Sequence, residues 1–147
     1  MIVQIDQSGK LEKTNTPTVI GFSNGKSRAL LISAADKLVL KQHFRDRGKR
    51  RAYIYKCFAA IIFLLLRDEP QIELAIIDTE YPGQESIIKS YLLNFFRASG
   101  RDDIDKSSFV FKAIGRSSRG HTVVYRAYTG KAPSGKLSAE KLLELLN

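Results

Sequence analysis

Cysteine is almost missing from this chain. Cys57 is the single one among 147 residues, which excludes an intrachain disulfide and any cysteine-based zinc cluster. Its apolar neighbours read it as a small buried hydrophobe. Long hydrophobic runs are missing too. The most apolar stretch, residues 59–66, falls well short of the roughly 20 residues that span a bilayer, so no membrane partner is expected. Met1 passes directly into the strand-like Ile2, Val3 and Ile5, without the basic and apolar regions of a secretory signal. A reducing, cytoplasmic setting is the expectation. No G-x-G-x-x-G turn and no P-loop follow the first strand, which excludes a doubly wound nucleotide-binding pattern. With no internal repeat, low-complexity tract or dividing linker, residues 1–147 are expected to form one domain.

Acid is the scarcer charge. Against 24 Lys and Arg stand 15 Asp and Glu, a formal net charge of +9. A surplus of this size in a small domain concentrates polyanions around it and favours contacts with phosphate backbones. The cations are also bunched. Lys41, Arg45, Arg47, Lys49, Arg50 and Arg51 fall within eleven residues that hold one acid, Asp46. Such a block is a phosphate-binding patch or a solvated face. Phe44, Tyr53 and Tyr55 are interleaved with it, as stacking platforms for bases or as members of a helical core. Arg116, Arg119 and Arg126 form a second cluster. Contacts of this kind hold a backbone without reading its sequence. The expected partner is therefore a nucleic acid, with RNA, DNA and hybrid unresolved, and a homodimer is left open. An acidic protein partner is the competing source of negative charge.

Apolar residues at 44% suffice for an ordinary core, and their order suggests its shape. Residues 2–5 read as a strand ending at Asp6, with the turn-forming Gln7, Ser8, Gly9 and Lys10 behind it. Residues 18–23 and 26–33 flank Asn24-Gly25, the strongest short signal for a hairpin with a type I′ turn. From Lys37 to Leu65 the spacing is helical, with Gly48 placed to divide it and Pro70 to end it. Residues 72–77 read as a strand ending at Asp78, and residues 87–96 as a helix closed by Gly100. Residues 109–111 and 121–128 read as a strand and its returning partner, separated by a turn at residues 116–120. Residues 129–136 look like a loop, and Ser138 caps a last helix. The expectation is an α/β fold, a mixed five-stranded sheet with an antiparallel hairpin and parallel strands, flanked by helices.

Two aspartates end strands, Asp6 the first and Asp78 the fourth. Aspartate often ends strands because it makes good turns. If the two strands are parallel neighbours, however, both carboxylates emerge at the sheet edge where α/β proteins place their sites. Close carboxylates repel unless they are protonated or bridged by an oxygen-seeking dication such as Mg²⁺ or Mn²⁺. An acidic cluster of that kind is what two-metal phosphodiester cleavage requires.

Ile5-Asp6-Gln7-Ser8-Gly9, the hairpin of residues 19–33 and Ala75-Ile76-Ile77-Asp78-Thr79-Glu80-Tyr81 resemble the ribonuclease H-like superfamily, which includes ribonuclease H and the Holliday-junction resolvases. The resemblance covers the element order of nearly the whole chain. It implies metal-binding catalytic roles for Asp6 and Asp78, with Glu80 as a substitute or helper. Ribonuclease H enzymes carry a glutamate early in the first long helix, where this chain offers only Asp46. Resolvase-type members take acids from the last helix, where Glu140 and Glu144 stand. Glu140 is the candidate because it lies in the first turn. His121 matches the histidine that precedes the last acid in some members, and equally reads as an ordinary strand residue. His43, among cations, points to phosphate or solvent rather than metal. The implied function is a divalent-metal-dependent nuclease. A non-catalytic nucleic-acid-binding or assembly module on the same fold is the alternative.

Overall fold

The computed structural model describes residues 1–24, 27–48, 52–113, 119–130 and 134–146. Its centre is β1 (Ile2–Ser8), which pairs antiparallel with β2 (Thr18–Ser23) on one side. On the other side it pairs parallel with β4 (Leu74–Asp78). The strand β3 (Ser27–Ile32) extends the antiparallel side, and β5 (Phe109–Lys112) extends the parallel one. A two-residue strand, β6 (Gly135–Lys136), joins β3 in parallel. The sheet is mixed, with strand order β5-β4-β1-β2-β3-β6.

Alternation along the strands divides the side chains between two faces. Val3, Ile5, Ile20, Phe22, Leu30, Ile32, Ala75 and Ile77 enter the main core. That core is filled by α2 (Ala52–Leu66), of which twelve side chains are buried. A helix apolar on all sides must be covered on all sides. The sheet covers one flank of α2, while α3 (Glu85–Ala98) and α5 (Ala139–Leu146) cover others. Phe63, Phe95, Phe96 and Phe109 pack ring against ring between α2, α3 and β5, each burying a payload worth about 1.5–3 kcal/mol. Ahead of α2 runs α1 (Ala34–Asp46), started by Ser33, whose Oγ accepts from the Asp36 N–H at 3.1 Å. Residue 48 lies between α1 and α2, as the sequence suggests.

The opposite face of the sheet carries α4 (Arg119–Tyr128), which packs on β1, β2 and β3. This corrects the sequence reading twice. Residues 121–128 are helix, not a returning strand, and the turn expected at residues 116–120 gives way to helix from Arg119. Residues 114–118, Arg116 among them, lie outside the described residues. The physical reason is coverage. Val19 of β2 and Ala29 of β3 form a small second apolar cluster with Val124 and Ala127 of α4. Such a two-sided sheet needs a layer on each face. Gly21 makes the approach close: a Cβ there would lie 3.1 Å from Val124 Cγ2 and 3.0 Å from the Arg28 carbonyl oxygen.

The sheet also has six strands rather than five, because residues 135–136, expected in a loop, pair with β3. The hairpin forms, but Ser23 pairs with Ser27. Three residues therefore separate the paired ends, where a type I′ turn needs two. Gly25 and Lys26 lie outside the described residues. No helix among the described residues is long and apolar enough to cross a membrane.

Candidate metal centre and basic surface

The register of the two central parallel strands builds the acidic site. Ile5 pairs with Ile77, so the next residues, Asp6 and Asp78, lie side by side where β4 ends. The strand β1, expected to end at Asp6, runs on to Ser8 because Gln7 and Ser8 still pair with β2. Neighbouring strands are about 4.8 Å apart. Both aspartates alternate away from the main core. Asp6 is paired with Gly21, the residue against which α4 packs. Beyond Asp78 the chain turns sharply, the Glu80 N–H donating to the Asp78 carbonyl at 3.0 Å. That turn returns Glu80 to the cluster. One carboxylate oxygen from each of Asp6, Asp78 and Glu80 lies within 4.8 Å of the others, inside the ~8 Å separation beyond which a bridging role for metals ~4 Å apart would fail.

Asp6 is buried, and its Oδ1 accepts from the Gln7 N–H at 2.8 Å. Glu80 is half-buried and its carboxyl is pushed up to about 8. Burial is the main cause, followed by a hydrogen bond to Asp78 and the charges of Asp78 and Asp6, with Lys10 acting against them. A crowded carboxyl in this position keeps its proton and donates it to its neighbour. Gln7, on the other face of β1, ties the strand end down. Its Nε2 donates to the Gly9 carbonyl at 3.0 Å and to Tyr81 Oη at 3.1 Å. Tyr81 in turn meets Tyr55 and Phe58 edge to face at 5.7 and 5.2 Å.

The donor set suits a hard dication. All three ligands offer oxygen, and oxygens on one Mg²⁺ at ~2.1 Å lie at most ~4.2 Å apart. A set within 4.8 Å lies a little beyond that limit, and side-chain rotation would draw it onto one ion. Charge favours it as well, since a dication offsets the repulsion from Asp78 and Asp6 that adds to burial in holding the Glu80 proton.

Other candidates fall elsewhere. Glu140 is exposed on α5, which packs against α1 and α2 on the far side of the sheet from α4. It does not join the acids, and the expectation that it helps Asp6 and Asp78 is corrected. Glu144 is exposed on the same helix. His121 belongs to α4, and its side chain lies outside the described residues. His43 sits among the cations as expected, its Nδ1 accepting from Arg47 Nη1 at 2.9 Å. Asp46 pairs with Gln42 at 3.0 Å.

Lys41 and Arg45 are exposed along the second half of α1, and Arg47 is exposed at its C-cap. Lys49, Arg50 and Arg51, between α1 and α2, lie outside the described residues, as do Arg116 and the side chain of Arg119. Arg126 is exposed on α4.

Three features had no clear sequence signal. Lys37 is buried at 2% exposure, its Nζ donating to the Lys10 carbonyl and to Thr18 Oγ1, each at 3.0 Å. Lys10 lies close enough to Glu80 to act on its charge. Glu12 borders a cavity with Lys41 and Arg45. All three depend on the path of residues 9–17, which only the folded chain reveals.

Models of known protein families, curated proteins and solved structures were compared with this chain, and none matches it.

Proposed function

We propose that this chain is a nucleic-acid-binding protein with a ribonuclease H-like sheet that cleaves phosphodiester bonds with the help of Mg²⁺ or Mn²⁺. The carrying observation is the convergence of Asp6, Asp78 and Glu80 at the carboxyl edge of the two central parallel strands. An antiparallel hairpin on one side of β1 and parallel strands on the other agree with the arrangement that the resemblance implies. A dication held there supplies an activated water and neutralises charge on the phosphate. The chain's residues do the rest. Asp6, fixed by the Gln7 N–H, and Asp78 hold the ion. Glu80 completes the set and surrenders its proton as it does so. Lys41, Arg45 and Arg47 grip the backbone. The lone buried cysteine is consistent with the cytoplasm as the site of action.

The test is cleavage of labelled single-stranded, duplex, hybrid and branched substrates with and without Mn²⁺. Asp6→Asn and Asp78→Asn are expected to abolish cleavage and keep binding. The position of Glu140 favours a second reading, a binding or assembly module without catalysis, because only three carboxylates gather among the described residues. Salt-dependent binding with no Mn²⁺-dependent cleavage of any substrate would establish that second reading.

A further inference from the structure

Two cavities flank the corner where α1 meets α2. One, of about 400 Å³, is bordered by Glu12, Lys41, Arg45, Tyr53 and Ile54. The other, of about 590 Å³, is bordered by Phe44, Arg47, Lys56, Tyr91 and Leu146, and by Tyr53 again. Tyr53 borders both, and its ring stacks on Phe44 of the second cavity, with ring centres 5.2 Å apart and planes 4° from parallel. Each cavity thus has an aromatic and aliphatic floor with cations at its rim. The side chains of Lys41 and Arg45 are exposed and make no hydrogen bond or ion pair with other described residues. Lys56 is held by the Leu146 carbonyl at 3.0 Å and lies over the Tyr91 ring.

We propose that these two cavities take successive unpaired nucleotides of a single strand that runs over the α1–α2 corner toward Asp6, Asp78 and Glu80. The inference rests on the nucleic-acid reading above and narrows it to strands that are unpaired at this point. Shape decides between single strand and duplex. A duplex offers a convex row of phosphates, which exposed lysines and arginines grip without any cavity. Cavities of several hundred cubic ångströms, apolar within and cationic at the rim, suit a base with its phosphate outside. Glu12 offers acceptors for the amino groups of a base, which a phosphate alone would not need. The loop of residues 9–17 connects the two places: Glu12 borders the first cavity, and Lys10, two residues earlier, acts on the charge of Glu80.

Fluorescence polarisation with a labelled DNA single strand of mixed sequence, the same strand in a duplex, and the same strand with abasic spacers tests this. The single strand is expected to bind about tenfold or more tightly than the abasic strand, the effect of losing stacked bases, and more tightly than the duplex. Lys41→Gln with Arg45→Gln is expected to weaken the single strand more than the duplex. Arg97→Gln with Lys106→Gln, which removes equal charge from exposed positions around α3 and β5, should leave the preference unchanged. Equal affinity for intact and abasic strands, or for strand and duplex, overturns the inference while nucleic-acid binding itself stands. Lack of salt-dependent binding to all three probes overturns both. Failure of cleavage alone touches only the catalytic reading.

Discussion

At the scale of single residues, the site's chemistry is set by groups held in unfavourable protonation states. Glu80 is raised from the usual glutamate range to about 8 by burial and by the charges of Asp78 and Asp6. Between the two values the folded chain binds a proton that the unfolded chain has released, so stability falls as pH rises through that window. With a chelator present, the melting temperature of the wild type is therefore expected to decline from about pH 5 to pH 8. Glu80→Gln should flatten that part of the profile; a slope unchanged by the substitution would place the proton elsewhere. Lys37 has the opposite sign. Burial lowers it to about 8 while Glu12 opposes the shift, so its cost is complete below pH 8 and fades as pH rises toward its ordinary value. That cost is tolerated because its ammonium group closes the loop of residues 9–17 through the Lys10 carbonyl and Thr18. Lys37→Ala leaves those acceptors without their donor. A loss of about 1–3 kcal/mol is expected in urea unfolding. Gly9 fixes the same loop from its other side. It has φ +79°, and a Cβ there would lie 2.3 Å from the Pro17 carbonyl oxygen.

At the scale of elements, legibility in the sequence followed the strength of periodicity. Asp78 was readable as a strand end because β4 is a short apolar run that stops at a carboxylate. The strand β1 runs two residues past Asp6 in its pairing with β2, so there only the apolar run leading to the aspartate was legible. The adjacency of Asp6 and Asp78 depended on parallel pairing, which no local pattern states. The hairpin was readable from Asn24-Gly25 and the helices α1, α2 and α3 from their spacing. The helix α4 was not. Val124 and Tyr128 stand at helical spacing, but their β-branched and aromatic character favours strand locally. Ten residues are too few for periodicity to decide. What makes the segment helical is the partner face, with Val19, Gly21 and Ala29 leaving a shallow bed for it. Gly21→Val fills that bed and is expected to cost about 1–3 kcal/mol by overpacking. Faster amide exchange across residues 124–128 should accompany the loss; exchange as slow as wild type would show that α4 does not depend on that contact. The cap of α1 is a smaller and separable quantity. Ser33→Ala, which removes the acceptor for the Asp36 N–H, should cost about 1 kcal/mol in the same measurement.

At the scale of the whole molecule, charge is divided by sign. The net +9 gives the surface a field that draws in polyanions, while Asp6, Asp78 and Glu80 make one compact negative spot at the edge of the sheet. On the functional reading proposed above, the two parts contribute differently to binding a strand. Each cation that meets a phosphate releases counterions, so the logarithm of affinity falls with the logarithm of salt by about 0.7 per contact for a single strand. Lys41→Gln with Arg45→Gln removes two exposed cations, and the slope is expected to become shallower by about 1.4. Asp6→Asn with Asp78→Asn should act the other way. Without a dication those acids repel the backbone, so their neutralisation raises affinity in chelator, while the slope stays close to that of the wild type because no phosphate contact is lost. Added Mg²⁺ should then tighten binding by the wild type and have little effect on the double Asn variant. Polarisation titrations over a range of potassium chloride concentrations measure both quantities. A slope unchanged by the α1 substitutions would mean that the strand does not touch this patch, and an unchanged affinity in the Asn variant would mean that it does not approach the acids.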